Sequence, residues 1–286
     1  MKTLGARAQL KLQNILFATD LSFAAERALP YALEIARRHG STIYAVHVIH
    51  PGYYPLAPSS AWPQLAEDEE IFRQESRKDL ERELQGARHE IIFQPGETWP
   101  ILSELMDDKQ IDLLVFSTHG RTGYDKVLFG SIAEKLLRKA PCPILAVGPA
   151  VTGTAKQIVE LNRILYATDF CVESLAAAPY AVSLAQEHRA QLILLHVIDD
   201  GGDVPTMLQT LRQLVPFGAD LRCEPTCVVE RGAPACKILE VAEGHGAGLI
   251  VLGVHRDKGL VPKHLVRSGV FRVVTQAKCP VLVVHS

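Results

Sequence analysis

The sequence predicts an α/β fold built twice: two tandem, open, twisted, mostly parallel five-stranded sheets with helices on both faces. Three observations predict it. Short apolar runs alternate with longer segments of helical spacing, the pattern of a parallel sheet wound with helices. The runs at 111–116 and 249–252 are apolar almost without interruption, as strands covered on both faces are. The chain also repeats itself, since Ile15-Leu16-Phe17-Ala18-Thr19-Asp20 returns 149 residues later as Ile164-Leu165-Tyr166-Ala167-Thr168-Asp169.

Taken in order, strands are expected at 14–19 and 42–49. Between them Ala25, Ala28, Leu29, Ala32, Leu33, Ile35 and Ala36 fall at helical spacing, and Gly40 supplies the stop. A charged helix follows at 67–85, then a strand at 90–93. A helix around 100–106 has Pro100 in its first turn, where a missing amide costs least. A strand at 112–117, a helix at 131–139 and a strand at 144–147 complete the first copy.

The second copy keeps the same landmarks. Val46-His47-Val48-Ile49 recurs as Leu195-His196-Val197-Ile198 at the same offset of 149. Cys142-Pro143-Ile144-Leu145-Ala146-Val147 matches Cys279-Pro280-Val281-Leu282-Val283-Val284 at an offset of 137. The difference arises after Val48, where the first copy carries an extra Pro/Tyr/Ser stretch at 51–63. That stretch, with Tyr53, Tyr54 and Trp62, either lids a site, meets a partner or is a long surface loop. Domains are therefore expected at 1–149 and 158–286, joined by a linker at 150–157.

A length of 286 residues agrees, since domains average roughly 150 residues. Hydrophobic residues make up 48% and charged residues 22%, which excludes a largely disordered chain. A formal charge of −2 gives no basic field for nucleic acid. Six cysteines are too few for a disulfide scaffold, and the lone pair Cys223/Cys227 is poor material for a zinc site. Gln9, Gln13 and Asn14 interrupt any signal-peptide core, and no run approaches the ~18 apolar residues a bilayer span needs. The expectation is a soluble, cytoplasmic protein with no membrane partner.

In an open parallel sheet, ligands bind beyond the carboxyl ends of the strands. Asp20 follows the first strand there. After the strand at 112–117 comes Ser117-Thr118-His119-Gly120-Arg121-Thr122-Gly123-Tyr124, and Gly130-Ser131 opens the next helix. A glycine loop closing on a helix N-terminus offers free amides and a positive dipole end to a phosphate. Gly120 and Gly130 allow close backbone approach, and Ser131 adds a hydroxyl that also suits a helix cap. The same glycines serve equally as ordinary turn residues, and neither a Walker A loop nor G-x-G-x-x-G is present. Asp20 has an alternative place at the start of the first helix, with Ser22 a competing cap. His47 and His196, on apolar strands, read as satisfied histidines rather than ligands, and Lys126 as a phosphate partner or a solvated lysine.

Both copies resemble the universal stress protein (UspA-like) family. The carrying residues are the Ala-Thr-Asp after strand one, the His-Val-Ile of strand two, the Ser-Thr-His-Gly-Arg-Thr-Gly loop, Gly130-Ser131 and the Pro-Cys-Pro before the last strand. The resemblance implies a Rossmann-like sheet of the adenine nucleotide alpha hydrolase type and a role in stress sensing or regulation. The ATP-binding branch of the family carries G-x2-G-x9-G-[ST], and this chain reads Ser117-x2-Gly120-x9-Gly130-Ser131, with serine for the first glycine. By resemblance, Asp20 and the Val48 backbone hold adenine, and Ser117 and Gly120 line the ribose. Gly130, Ser131 and Ile132 meet the phosphates of ATP, ADP or AMP, with Mg2+ as a companion of the nucleotide. Thr118, His119 and Arg121 share the loop without an assigned role. The resemblance also implies edge-to-edge pairing of the strands at 144–147 and 281–284, an internal pseudo-dimer, and leaves homodimerisation of the whole chain open.

The second copy has diverged at the same loop, reading Gly253-x2-Arg256-x10-Arg267-Ser268. Arginine where backbone must approach a phosphate fills that space, while Asp169 and Val197 survive. Arg256, Lys258, Lys263, His264 and Arg267 leave a basic loop, either solvated or a site for some other anion. The H-x-G-H and S-G-G-x-D motifs of adenylating relatives are absent from the sequence, and no catalytic set is assigned. Three functions stay open: a nucleotide-binding stress protein, a slow ATPase and a nucleotide-free scaffold.

Overall fold

The structure, a computed structural model, describes residues 10, 12–50, 62–119, 131–153, 159–198, 202–255 and 269–285. The first half runs β1 (Asn14–Ala18), α1 (Phe23–Glu26), α2 (Leu29–His39), β2 (Thr42–Ile49), α3 (Trp62–Glu83), β3 (Arg88–Pro95), α4 (Thr98–Asp108), β4 (Leu113–Ser117), α5 (Ser131–Lys139) and β5 (Ile144–Val147). The second runs β6 (Arg163–Ala167), α6 (Val172–Ala176), α7 (Ala178–Glu187), β7 (Gln191–Ile198), α8 (Val204–Gln213), β8 (Thr226–Arg231), α9 (Pro234–Gly244), β9 (Leu249–Val254), α10 (Gly269–Gln276) and β10 (Val281–His285).

Some elements differ from their sequence reading. The helix expected before Gly40 is two helices, because α1 stops at Glu26 and α2 restarts with Pro30 in its first turn. Gly40 ends α2 in the left-handed region at φ +65°, where a side chain would be strained. Trp62 and Pro63 belong to the first turn of α3 rather than to the inserted stretch, whose residues 51–61 lie outside the described ones. Strand β3 runs well past 90–93 at both ends, because β2 pairs with it from Thr42↔Arg88 to Ile49↔Pro95. A neighbour's ladder extends a strand beyond its own hydrophobic run.

The strand order is β3-β2-β1-β4-β5-β10-β9-β6-β7-β8, so the two expected sheets are one sheet of ten strands. Every pairing is parallel except β5 with β10, where the halves meet antiparallel in the register Ala146↔Val281, Leu145↔Leu282, Ile144↔Val283. Leu145 and Leu282 are the same position in the two copies, so the join runs about a local two-fold axis. One core, built on α2, α3, α7 and α8, covers one face through both halves. The other, built on α4, α5, α9 and α10, covers the opposite face.

Backbone closes the seam on both sides of the axis. His285, just past the middle of the junction, bonds the Leu137 carbonyl of α5 through Nε2 at 2.8 Å. Its counterpart Gly148 lies under the equivalent carbonyl of α10, and a Cβ added there would sit 2.0 Å from the Val274 oxygen. Gly148→Ala must therefore push α10 away from the seam. A loss of about 1–3 kcal/mol in stability is expected from such overpacking, read as a lowered urea midpoint with unchanged slope.

Candidate functional site

The carboxyl ends of β1, β2 and β4 meet at the centre of the first half. Register pairs Ala18 with Val46 and with Phe116, so these three strands end side by side, with Val48 near the end of β2 and Asp20 and Thr118 just past the ends of β1 and β4. Ser117 lies opposite Val147 of β5.

The turn carrying Asp20 is held from several sides. The Leu21 amide donates to Thr19 Oγ1 at 3.0 Å, and the Ser22 amide donates to Asp20 Oδ1 at 3.1 Å. Ser22 is the cap of α1, its Oγ accepting from the Ala25 amide at 3.2 Å. Leu21 adopts φ +59°, a left-handed conformation costly for a side chain with a Cβ. His47 is buried, and its Nδ1 donates to the Thr19 carbonyl at 2.9 Å. The ring meets Phe93 edge-on with centroids 5.7 Å apart. The second half repeats the device: Phe170 has φ +64°, and His196 Nδ1 donates to the Thr168 carbonyl at 2.8 Å. Both histidines are thus clamps on the strand-end turn.

The Val147 carbonyl gathers the end of β4. It accepts from the Thr118 amide at 3.0 Å and from the Ser117 and Thr118 hydroxyls at 3.4 Å each. The Thr118 hydroxyl and His119 Nδ1 share a hydrogen bond of 3.0 Å. Nε2 is buried without a hydrogen-bond partner. Burial holds the His119 pKa below 6.5, and the Arg27 guanidinium lowers it further. Neutral imidazole is the form present at pH 7.

Arg27 is a neighbour that sequence reading missed. Its Nη1 donates to the carbonyls of Pro149 (3.4 Å) and Val151 (3.1 Å), more than 120 residues away. No local signal marks such a contact. Ser131 is exposed at the start of α5, and Ile132 packs with Val48 and Trp99 on the core under α4 and α5. Lys135 Nζ lies 5.8 Å from the Trp99 ring centroid, within cation–π reach. Gly120, Gly123, Arg121, Lys126 and Gly130 lie outside the described residues, as do Arg256, Lys258, Lys263, His264, Arg267 and Ser268.

A cavity of about 850 Å3 lies beside this centre, between α2 and α3. Phe17, Leu29, Leu33 and Leu80 line it, but Glu26, Glu34, Glu75, Asp79 and Glu83 outnumber Arg37 and Arg82 at its walls. That balance repels phosphate. Among the described residues no three His, Cys, Asp or Glu side chains converge as a metal site. All six cysteines, Cys223 and Cys227 included, are free thiols. No described helix is long and apolar enough to cross a membrane.

The second half differs at the corresponding strand end. Gly253 occupies the place of Ser117, and a Cβ there would fall 2.1 Å from the Glu173 carbonyl oxygen of α6. Tyr166 Oη donates to the Ser174 carbonyl at 2.7 Å, and Thr168 and Ser174 share a hydroxyl contact of 2.9 Å. These bonds tie α6 down onto the strand ends. Asp169 is held below the usual carboxylate range: burial pushes it up, but bonds from the Cys171 and Ser174 side chains and the Cys171 amide outweigh that.

A doubly wound parallel α/β sheet with a clamped aspartate turn at its strand ends defines a class of proteins with a ligand crevice at that end. The universal stress protein family model matches residues 11–148, 160–212 and 220–285, and the chain belongs to that family. A universal stress protein of Methanocaldococcus jannaschii is 28% identical over 138 residues, 47% of this chain and 81% of its own length. Universal stress protein A homolog 1 of Coxiella burnetii is 31% identical over 140 residues, 47% of this chain and 95% of its own. A universal stress protein structure from Archaeoglobus fulgidus matches 95% of this chain and 98% of its own with a TM-score of 0.72 at 23% identity, a likeness of fold.

Two measurements check the site. His47→Leu leaves the Thr19 carbonyl without its donor and should cost about 1–3 kcal/mol in urea unfolding. In an NMR titration the His119 ring should ionise below 6.5, and Arg27→Gln should move its midpoint upward. Because the folded value is the lower one, this group's contribution to stability is complete above pH 6.5 and is lost as the pH falls through the folded pKa.

Proposed function

We propose that the chain is a tandem universal stress protein that binds one adenine nucleotide, ATP, at the strand ends of its first half, and that this ligand biases assembly or partner choice in a stress response. The observation that carries the reading is that Asp20, Val48 and Thr118 lie at or just past the carboxyl ends of three adjacent strands, with Ser131 opening α5. The free amides and dipole of that helix favour the phosphates, and His119 Nε2, buried without a partner, is available to hydrogen-bond a ribose hydroxyl. In this reading Asp20 and the Val48 backbone hold adenine, Ser117 and Gly120 line the ribose, and Gly130, Ser131 and Ile132 meet the phosphates. Thr118, His119 and Arg121 complete the loop, and Mg2+ would accompany the nucleotide and offset phosphate charge.

Serine at 117 fits this reading. Along β4, Leu113 and Val115 belong to the core on the α2 face, so Ser117 points to that same face, away from α5. The domain reading makes 1–149 the binding domain, 158–286 the degenerate one and 150–157 the linker.

Calorimetry with ATP, ADP and AMP tests it, alongside assay of phosphate release. One nucleotide should bind per chain, and Gly130→Arg should weaken it about 100-fold while the urea midpoint stays unchanged. Two nucleotides per chain, or binding indifferent to Gly130→Arg, would overturn the assignment. Steady phosphate release makes the protein a slow ATPase instead, and silence towards all three nucleotides leaves a scaffold.

A further inference from the structure

The C-terminal turns of α2 and α7 bring four titratable side chains together where the halves touch, away from the strand ends. His39 Nε2 lies 2.6 Å from Glu187 Oε2, and His188 Nδ1 lies 3.6 Å from Glu34 Oε1. The offset of 149 that relates the copies carries His39 onto His188. The cluster is therefore reciprocal: each half sets the same histidine against a glutamate of the other. Arg38 ties both carboxylate-bearing residues, donating from Nε to Glu34 at 2.8 Å and from Nη1 to the Glu187 carbonyl at 3.0 Å. Ser183 Oγ donates to Glu187 Oε1 at 2.9 Å and accepts the Leu10 amide at 3.3 Å.

The histidines are not equally placed. The His188 side chain is 1% exposed, against 7% for His39, and neither His188 ring nitrogen has a hydrogen-bond partner. A neutral ring tolerates that seat. An imidazolium needs acceptors for two N–H groups, and the near one, Glu34 Oε1, lies 3.6 Å away, beyond hydrogen-bond reach, and is shared with Arg38. Charging both rings would set three cations, Arg38, His39 and His188, against two carboxylates, Glu34 and Glu187.

We propose that this cluster is an acid-sensitive latch between the two halves, closed while His188 is neutral and opened at the ends of α2 and α7 when it takes a proton. The electrostatics agree with the geometry. Burial pushes His188 down to about 4 and Arg38 lowers it further, with Glu34 and Glu187 opposing and His39 adding to the depression. An unfolded histidine titrates near 6.5. The latch is therefore worth most above pH 6.5, and its contribution drains away between about 6.5 and 4.

Urea unfolding of the full chain at pH 7 and pH 5 tests this, comparing the wild-type chain with His188→Gln. On the order of 20-fold of the acid-driven rise in the wild-type unfolding constant should vanish in the variant. Hydrogen exchange of the wild-type chain, corrected for intrinsic rates, supplies a second reading that needs no variant. At pH 5 the amides at 36–41 and 185–190 should lose protection before those of β1 and β6. Equal pH dependence in both proteins would overturn the latch, as would protection at those turns that outlasts or merely tracks the rest of the chain.

Discussion

The antiparallel meeting of β5 with β10 is the constraint on which the other features rest. A parallel five-stranded sheet ends in a strand with one row of amides and carbonyls unpaired, and such an edge must be covered or joined. Here each copy uses the other's last strand. Pairing equivalent strands antiparallel turns the copies head to tail, so their strand ends open at opposite ends of one sheet. It also sets helices of like kind on one face, which merges four small cores into two long ones. The Gly148 seat, the His285 bond and the contact between α2 and α7 all follow from that axis.

Within this shared frame the copies have parted by a few substitutions near the strand ends. Phe17 became Tyr166 and Ala25 became Ser174, or the reverse, and each change in the second half adds a group that bonds α6 to the sheet. Burial pushes the Tyr166 hydroxyl up to about 12, so it remains a donor throughout the physiological range. Glycine at 253 lets α6 descend where serine at 117 does not. The junction of α4 with α5 shows the same trade on the opposite face: Trp99 and Ile132 pack there in the first half, and small Ala235 and Gly269 meet in the second.

Much of this was legible before any coordinates. Alternating periodicity placed α5 and β5 at their observed bounds, and the family resemblance implied the two strands that pair at the seam. The break between α1 and α2 was missed, although Pro30 is its local mark, because the apolar spacing continues across it. The length of β3 was missed because half of its residues owe their strand conformation to β2. Of the site, the turn at Asp20 and the role of His47 as a satisfied histidine were readable. Arg27 was not, since it acts on carbonyls more than 120 residues distant.

By itself the chain's pattern of residues determined the α/β class, the duplication and the family, because these rest on local periodicity and on motifs that recur at a fixed offset. Only the tertiary structure decided that ten strands form one sheet, that α6 sits directly on Gly253 and that two equivalent histidines face the carboxylates of opposite halves. Those outcomes depend on distances between residues far apart in the chain, set by how edges pair and by which side chains leave room, and no local window contains them.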